Sequence, residues 1–229
     1  MRVAVVTVGD EILAGDTVNT NAAWIGRRLA ERGVDLERVI VVPDRVADIA
    51  AVVDRYRDEY DAVILTGGLG PTHDDVTMEG VAAAFGTEMA ESEAALTWLA
   101  EETGYARDDP AEGTADLPAG AQMLPNPNGV APGCRMENVY VLPGVPDEMK
   151  GMFEVVADEF EGTQRHVETV RADEPESALL DRLVTVRDEF GVRVGSYPGD
   201  VVRVKIESEN PDDVRAAADW LRERVDAPE

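Results

Sequence analysis

The chain is expected to be α/β: a mostly parallel sheet with helices on both faces, followed by a small α+β domain. Three observations predict this. Short apolar, partly β-branched runs alternate with amphipathic helical stretches through the first 160 or so positions. That alternation is the pattern of βα units around a parallel sheet. After about Gly162 the order becomes β-α-β-β-α, which divides the chain into domains 1–162 and 163–229. Finally, several strands run straight into polar, glycine-bearing loops, as strands do where ligands bind along the edge of such a sheet.

Taken in order, Arg2–Val8 is a strand and Asn21–Gly33 a helix, with Trp24, Ile25, Leu29 and Ala30 on one face and Gly33 as a natural stop. Arg38–Val42 is the second strand, and Val46–Tyr60 a helix that turns Ile49, Val52, Val53 and Tyr56 inward. The third strand, Asp61–Leu65, leads to a helix over Asp75–Phe85 closed by Gly86. Glu91–Glu102 is a further helix with Leu96 and Leu99 in the core. Residues 103–135 show no clear period. Val139–Leu142 is a strand and Met149–Phe160 a helix. In the small domain, His166–Arg171, Val192–Ser196 and Val201–Glu207 are strands, and Glu176–Phe190 and Asp212–Val225 are helices.

Composition narrows the classes. The formal net charge is −26, and only Lys150 and Lys205 are lysines. A charge this negative opposes binding to nucleic acid or an anionic membrane. Because the acids are interspersed with apolar helix positions, they read as a solvated shell of the kind suited to high salt, or else as an acidic partner surface. No apolar run reaches the roughly 18 residues of a membrane span, and the N-terminus reads as a strand, so a cytoplasmic protein is expected. Cys134 is the only cysteine, which rules out an internal disulfide and a cysteine-rich zinc site. His73 and His166 accompany no serine or cysteine motif, so no nucleophilic triad is expected.

Three loops carry the candidate chemistry. The first holds Gly9, Asp10, Glu11, Gly15, Asn19 and Asn21. The second runs Thr66, Gly67, Gly68, Leu69, Gly70, Pro71, Thr72, His73, Asp74, Asp75, with Thr77 just beyond it. The third holds Pro143, Gly144, Pro146 and Glu148, with Lys150 one turn into the next helix. Glycines let backbone N–H groups approach an anion closely, and a helix N-terminus adds to the attraction. The second loop lacks the lysine of a Walker loop. Asp10, Glu11, Asp74 and Asp75 are candidate oxygen ligands for a divalent ion such as Mg²⁺. In an extended chain Asp10 and Glu11 face opposite sides. The competing readings are structural. Asp75 can cap the following helix, Asn19 and Asn21 can cap theirs, and Lys150 can pair with Asp147 or Glu148.

Together these loops, with Asn126 and Gly129-Val130-Ala131-Pro132-Gly133, resemble the MoaB/Mog-like molybdopterin-binding family, and within it the CinA-type N-terminal domain. The likeness covers essentially the whole chain. It implies a three-layer α/β/α fold with a small α+β appendage, and a site for a nucleotide or pterin phosphate on the sheet edge. It also implies either metal-dependent hydrolysis of a dinucleotide pyrophosphate such as ADP-ribose or FAD, with Mg²⁺ or Co²⁺, or the binding or adenylylation of molybdopterin. A non-catalytic ligand-binding or assembly protein is the third expectation. Asp10, Glu11, Asp74 and Asp75 would then hold the metal, while the Thr66–Thr72 loop cradles phosphate. The family implies a homo-oligomer. The separate nicotinamide mononucleotide deamidase domain of CinA-type proteins does not follow here, so that activity is not expected. The stretch Asp108–Asp116 departs from the pattern before Leu117-Pro118, which bears on substrate choice.

Overall fold

The computed structural model describes residues 1–70, 72, 74–103 and 113–228. The chain divides into two compact units, Met1–Gly162 and Thr163–Glu229.

In the first unit, β1 (Arg2–Val8) is followed by a short helix α1 (Asp10–Ala14), then α2 (Thr20–Glu31), β2 (Asp35–Val42), α3 (Val46–Glu59) and β3 (Ala62–Gly67). Then come α4 (Thr77–Ala84), β4 (Met89–Glu91), α5 (Glu93–Trp98), β5 (Asp116–Pro118), β6 (Gln122–Leu124), β7 (Gly133–Met136), β8 (Val139–Pro143) and α6 (Pro146–Val156). The main sheet has the order β2-β1-β3-β8-β7-β6. Its first four strands are parallel; β7 runs antiparallel to β8, and β6 antiparallel to β7. β4 and β5 pair separately.

Strand alternation sorts β1 between two cores. Ala4, Val6 and Val8 pack with Ile49, Val53 and Tyr56 of α3 and Met78 and Val81 of α4. Val3 and Val5 pack on the opposite side with Ala22, Ile25 and Leu29 of α2 and Met149, Met152 and Phe153 of α6. A strand buried on both faces reads as a near-continuous apolar run, which is why Val3–Val6 show no polar alternation.

Several expectations shift. α2 exposes Ala30, which lies off its buried face. The expected helix over Glu91–Glu102 is a short strand, a six-residue helix and a π turn at Leu99–Thr103; Leu96 and Leu99 are still buried. Three short strands lie within the stretch that showed no period. They pair through a few residues each, too few to print an alternation on the sequence. The helix expected at Met149 starts three residues earlier, because Pro146 at its first turn loses no hydrogen bond there.

The second unit is β9 (His166–Ala172), α7 (Glu176–Phe190), β10 (Arg193–Tyr197), β11 (Val202–Ser208) and α8 (Pro211–Arg222). Its antiparallel sheet, ordered β10-β11-β9, packs Val170, Val204 and Ile206 against Leu179 and Val186 of α7 and Val214 and Leu221 of α8. No described helix is long and apolar enough to cross a membrane.

Candidate functional site

The chain steps from β1 to β2 on one side and to β3 on the other, so the strand order reverses between β1 and β3. In open α/β sheets the crevice beyond the strand ends at such a reversal is the usual ligand site. Here it is a cleft of about 630 Å³ lined by Val8, Gly9 and Glu11 after β1, Asp44 after β2, Gly67–Gly70 with Asp74 and Asp75 after β3, and Pro143–Val145 with Glu148 after β8; Thr114 and Gly129–Ala131 complete it. All three loops singled out in the sequence therefore meet in one place.

Asp10 and Glu11 are not extended. They form the first turn of α1, whose end is set by Gly15 at φ 81°. Glu11 turns into the cleft, whereas Asp10 is exposed and contributes its backbone N–H to Asp44 Oδ2 at 2.7 Å. Gly15 thus shapes the loop without lining the cleft.

Asp75 does not cap α4. The helix begins at Thr77, and the residue before it makes no side-chain cap. Instead Asp75 Oδ2 accepts from the Thr72 N–H at 3.3 Å and from the Thr72 hydroxyl, which closes the loop on itself. A Cβ at Gly68 would overlap the Asp75 carboxylate, so this clasp requires glycine there. The uncapped first turn of α4 leaves its N–H dipole facing the end of this loop. Thr66 and Thr77 are buried at the base of the loop; the Thr77 hydroxyl has no partner there. Pro71 and His73 lie outside the described residues.

The asparagines divide by role. Asn19 caps α2: its Oδ1 accepts from the Ala22 N–H at 3.0 Å, and its Nδ2 donates to Thr7 Oγ1 at 2.9 Å. Asn21 donates from Nδ2 to the Gly144 carbonyl at 2.7 Å, which ties α2 to the turn after β8. Its Oδ1 is buried with no partner. It lines a side chamber of about 90 Å³ that shares Val8, Glu11 and Gly144 with the cleft; Thr66 and Pro146 also line it. Asn126 is buried and donates to the Ala131 carbonyl at 3.0 Å and to Glu148 Oε2 at 2.7 Å, so it supports the cleft wall from behind. Lys150 pairs with Asp147 at 3.0 Å and does not line the cleft.

Sequence reading missed Asp44. Its signal was available, since Pro43-Asp44 follows a parallel strand whose end lies on the same edge as the other three. Burial holds its carboxyl above the usual carboxylate range; the charges of Asp10, Glu11 and Asp74 push the same way, against the lowering effect of the Asp10 N–H. Thr7, beside the side chamber, and Thr114, in the cleft, were missed as well, and no motif marks them.

No Lys, Arg or His is among the described residues lining the cleft. Nor do three His, Cys, Asp or Glu side chains converge into a ready-made metal cage among the described residues. The donor set still suits a hard divalent ion, which usually takes one or two carboxylates and completes its shell with water and ligand phosphate.

Comparison with known proteins places this architecture. Residues 4–162 match the family model described as "Probable molybdopterin binding domain", and residues 164–228 match "FAD synthase, middle domain". The chain belongs to the MoaB/Mog-like molybdopterin-binding-domain family, in its CinA N-terminal branch, and carries the FAD synthase middle domain behind it. An Archaeoglobus fulgidus protein is 37% identical over 97% of both chains, and a Pyrococcus furiosus protein 36% identical over 98% of this chain and 97% of its own. A CinA-like protein of Frankia casuarinae is 47% identical over 67% of this chain, a match that takes up 38% of its own length. The crystal structure of CinA from Thermoplasma acidophilum, described as of unknown function, superposes with a TM-score of 0.64 at 37% identity. It covers 69% of this chain and 97% of its own.

Proposed function

We propose that the cleft binds the pyrophosphate of a dinucleotide, such as ADP-ribose or FAD, and hydrolyses it with a divalent metal. One observation carries this reading: a cleft walled by Glu11, Asp44, Asp74, Asp75 and Glu148 offers glycine backbone N–H groups but no cationic side chain among its described lining residues. A phosphate entering alone would meet five carboxylates. A divalent cation between them reverses that repulsion and makes the acids useful.

Bound there, the metal would neutralise charge on the pyrophosphate and lower the pKa of a coordinated water. Glu11 and Asp74 are the two carboxylates that would hold it, with water and phosphate oxygens completing its shell. The Thr72–Asp75 clasp keeps the Gly67–Gly70 backbone open for a phosphate oxygen, and the first turn of α4 adds favourable potential for the anion. Pro143 and Gly144, tied to Asn21, form the opposite wall. Asp44 lines the same cleft with its proton affinity raised by burial, and would accept a proton from water there.

A second reading, a molybdopterin-binding or adenylyl-transferring protein, is favoured by one feature. The unpaired Asn21 Oδ1 beside the side chamber is an acceptor that the amino or ring N–H of a pterin would satisfy.

The test is incubation of the purified chain with ADP-ribose and with FAD, with and without Mg²⁺ or Co²⁺, followed by assay for AMP. Metal-dependent AMP that is lost in Asp74→Ala and Asp44→Asn supports hydrolysis. Absence of turnover with tight pterin binding supports the second reading. Neither result would leave a non-catalytic ligand-binding or assembly role.

A further inference from the structure

The helix-free face of the small unit's sheet gathers basic side chains. Strand alternation sends Val170, Val204 and Ile206 into the core, so Thr169, Arg171, Arg203 and Lys205 project from the other face. Register brings them into rows across the sheet. Tyr197 pairs with Arg203, which pairs with Arg171; Gly195 pairs with Lys205, which pairs with Thr169. Arg193 and Glu207 form the next row, where Glu207 pairs with Lys205.

Two arginines directly opposite one another repel. In a chain with 47 acids against 21 Lys and Arg, carboxylates to separate them are abundant. Arg28, Arg32, Arg55, Arg57, Arg182 and Arg222 each hold a carboxylate. Arg171 and Arg203 meet none among the described residues, and both are exposed. Beside them is a hollow of about 240 Å³ lined by Thr169, Tyr197, Arg203 and Lys205. The Tyr197 ring, 49% exposed, lies over Gly195, which has no room for a side chain beneath it, and forms one wall of the hollow.

We propose that this hollow binds a small organic phosphate carrying a planar ring, of mononucleotide size. The Arg203–Arg171 pair and Lys205 would take the phosphate, with forked N–H donors suited to its oxygens, and Tyr197 would stack on the ring. A nucleic-acid strand fits less well. It would extend phosphates beyond this four-cation face across a molecule of net charge −26.

AMP is the probe, titrated into the isotope-labelled full chain and followed through backbone amide resonances. The expected result is saturable shifts at Thr169, Gly195, Tyr197 and Arg203, separate from any shifts at the cleft loops. The double variant Arg171→Gln/Arg203→Gln should weaken AMP at this face at least about tenfold, since each charge-assisted bond is roughly twice as strong as a neutral one. Tyr197→Ala should weaken it about fivefold or more, within the range of base–aromatic stacking. Turnover of ADP-ribose or FAD in the double variant reports on the cleft alone, so failure here is distinguishable from failure of the hydrolase reading. Millimolar AMP that moves none of these amides overturns the proposal, as do shifts that persist in the double variant. Tighter binding of single-stranded oligodeoxyadenylate than of AMP, or a dimer in solution that the double variant dissociates, would reassign the face to nucleic acid or to a second copy.

Discussion

Asn126 donates one hydrogen bond to Glu148 Oε2 at 2.7 Å and another to the Ala131 carbonyl at 3.0 Å, and so fixes two walls of the cleft with a single buried amide. Gly129 lies against both side chains, with no room for a Cβ between them. Asn126→Ala leaves the partly buried Ala131 carbonyl without this donor and frees the Glu148 carboxylate. The expected cost is about 1 kcal/mol of stability, the usual net contribution of a hydrogen bond. Thermal unfolding of the variant measures this. Ligand affinity should fall further than in Glu148→Gln, because that change keeps an oxygen to accept the Asn126 bond. Equal effects would show that Asn126 acts only through Glu148.

Gly68 and Asp75 form a second such pair, argued from sterics. Gly68→Ala places a methyl group on the Asp75 carboxylate and must open the Thr72–Asp75 clasp. The loop is at the cleft rim, so the fold should survive while the backbone donors move by about an ångström. Displacements of that size cost roughly a hundredfold in catalytic efficiency. Circular dichroism that matches wild type, with kcat/KM down by that order, is the expected pair of results. Activity within about twofold of wild type would show that the clasp is not part of the working site.

The contrast between these loops and the rest of the site shows what sequence could convey. The buried strands were legible because β1, β3 and β8 are apolar on both faces, and the loops because glycine, proline and paired carboxylates seldom gather by chance. Asp44 was not, although it sits in the same cleft: a single aspartate in an acidic chain has no local signature, and only strand order brings it beside Glu11. The reading of Asp10 and Glu11 as extended failed for a similar reason. A five-residue helix such as α1 is too short to show a period, and its closure depends on Gly15 adopting φ 81°. Asp75 was a natural cap by spacing. It bonds Thr72 instead because the helix starts two residues later than the pattern suggested.

Tyr140 gives a pH test away from the cleft. Burial pushes its phenol up to about 12, and its bond to Glu159 at 2.9 Å acts in the same direction. An acid whose folded pKa is raised holds its proton more tightly in the fold. Its contribution is therefore complete below the unfolded value near 10 and is lost as pH rises toward about 12. Wild type should lose stability across that window more steeply than Tyr140→Phe, which has no phenol proton to lose. Parallel curves for the two proteins from neutral to alkaline pH would refute the assignment. Cys134 provides an internal check: burial pushes its thiol up to about 12 as well, so a disulfide reagent at mildly alkaline pH should label it only on unfolding.

The facing arginines predict a gain in stability on mutation, which is unusual for a paired position. Arg171→Thr removes the like-charge repulsion with Arg203 and places a β-branched residue on a strand. An increase of about 0.2–1 kcal/mol is expected from such cross-strand pairs. If Arg171 instead anchors the fold, the same variant will unfold at lower temperature, and the case for a ligand-directed pair weakens with it.

Salt dependence separates two opposed electrostatic effects. The exposed ion pairs, such as Arg55–Glu59 and Arg215–Asp212, are worth about 0–1 kcal/mol each and weaken as salt rises. Against them stands the mutual repulsion of an excess of 26 negative charges, which salt relieves. The excess is spread along the whole chain and acts over distances longer than any one pair, so repulsion should dominate and the unfolding temperature should rise with KCl. Screening is nearly spent once the Debye length falls to about 3 Å at 1 M. A rise that levels off there is the signature of relieved repulsion. A rise that continues well beyond 1 M would point to salt acting on surface hydration, as expected of a chain suited to high salt. A fall from the outset would show that the ion pairs outweigh the excess charge.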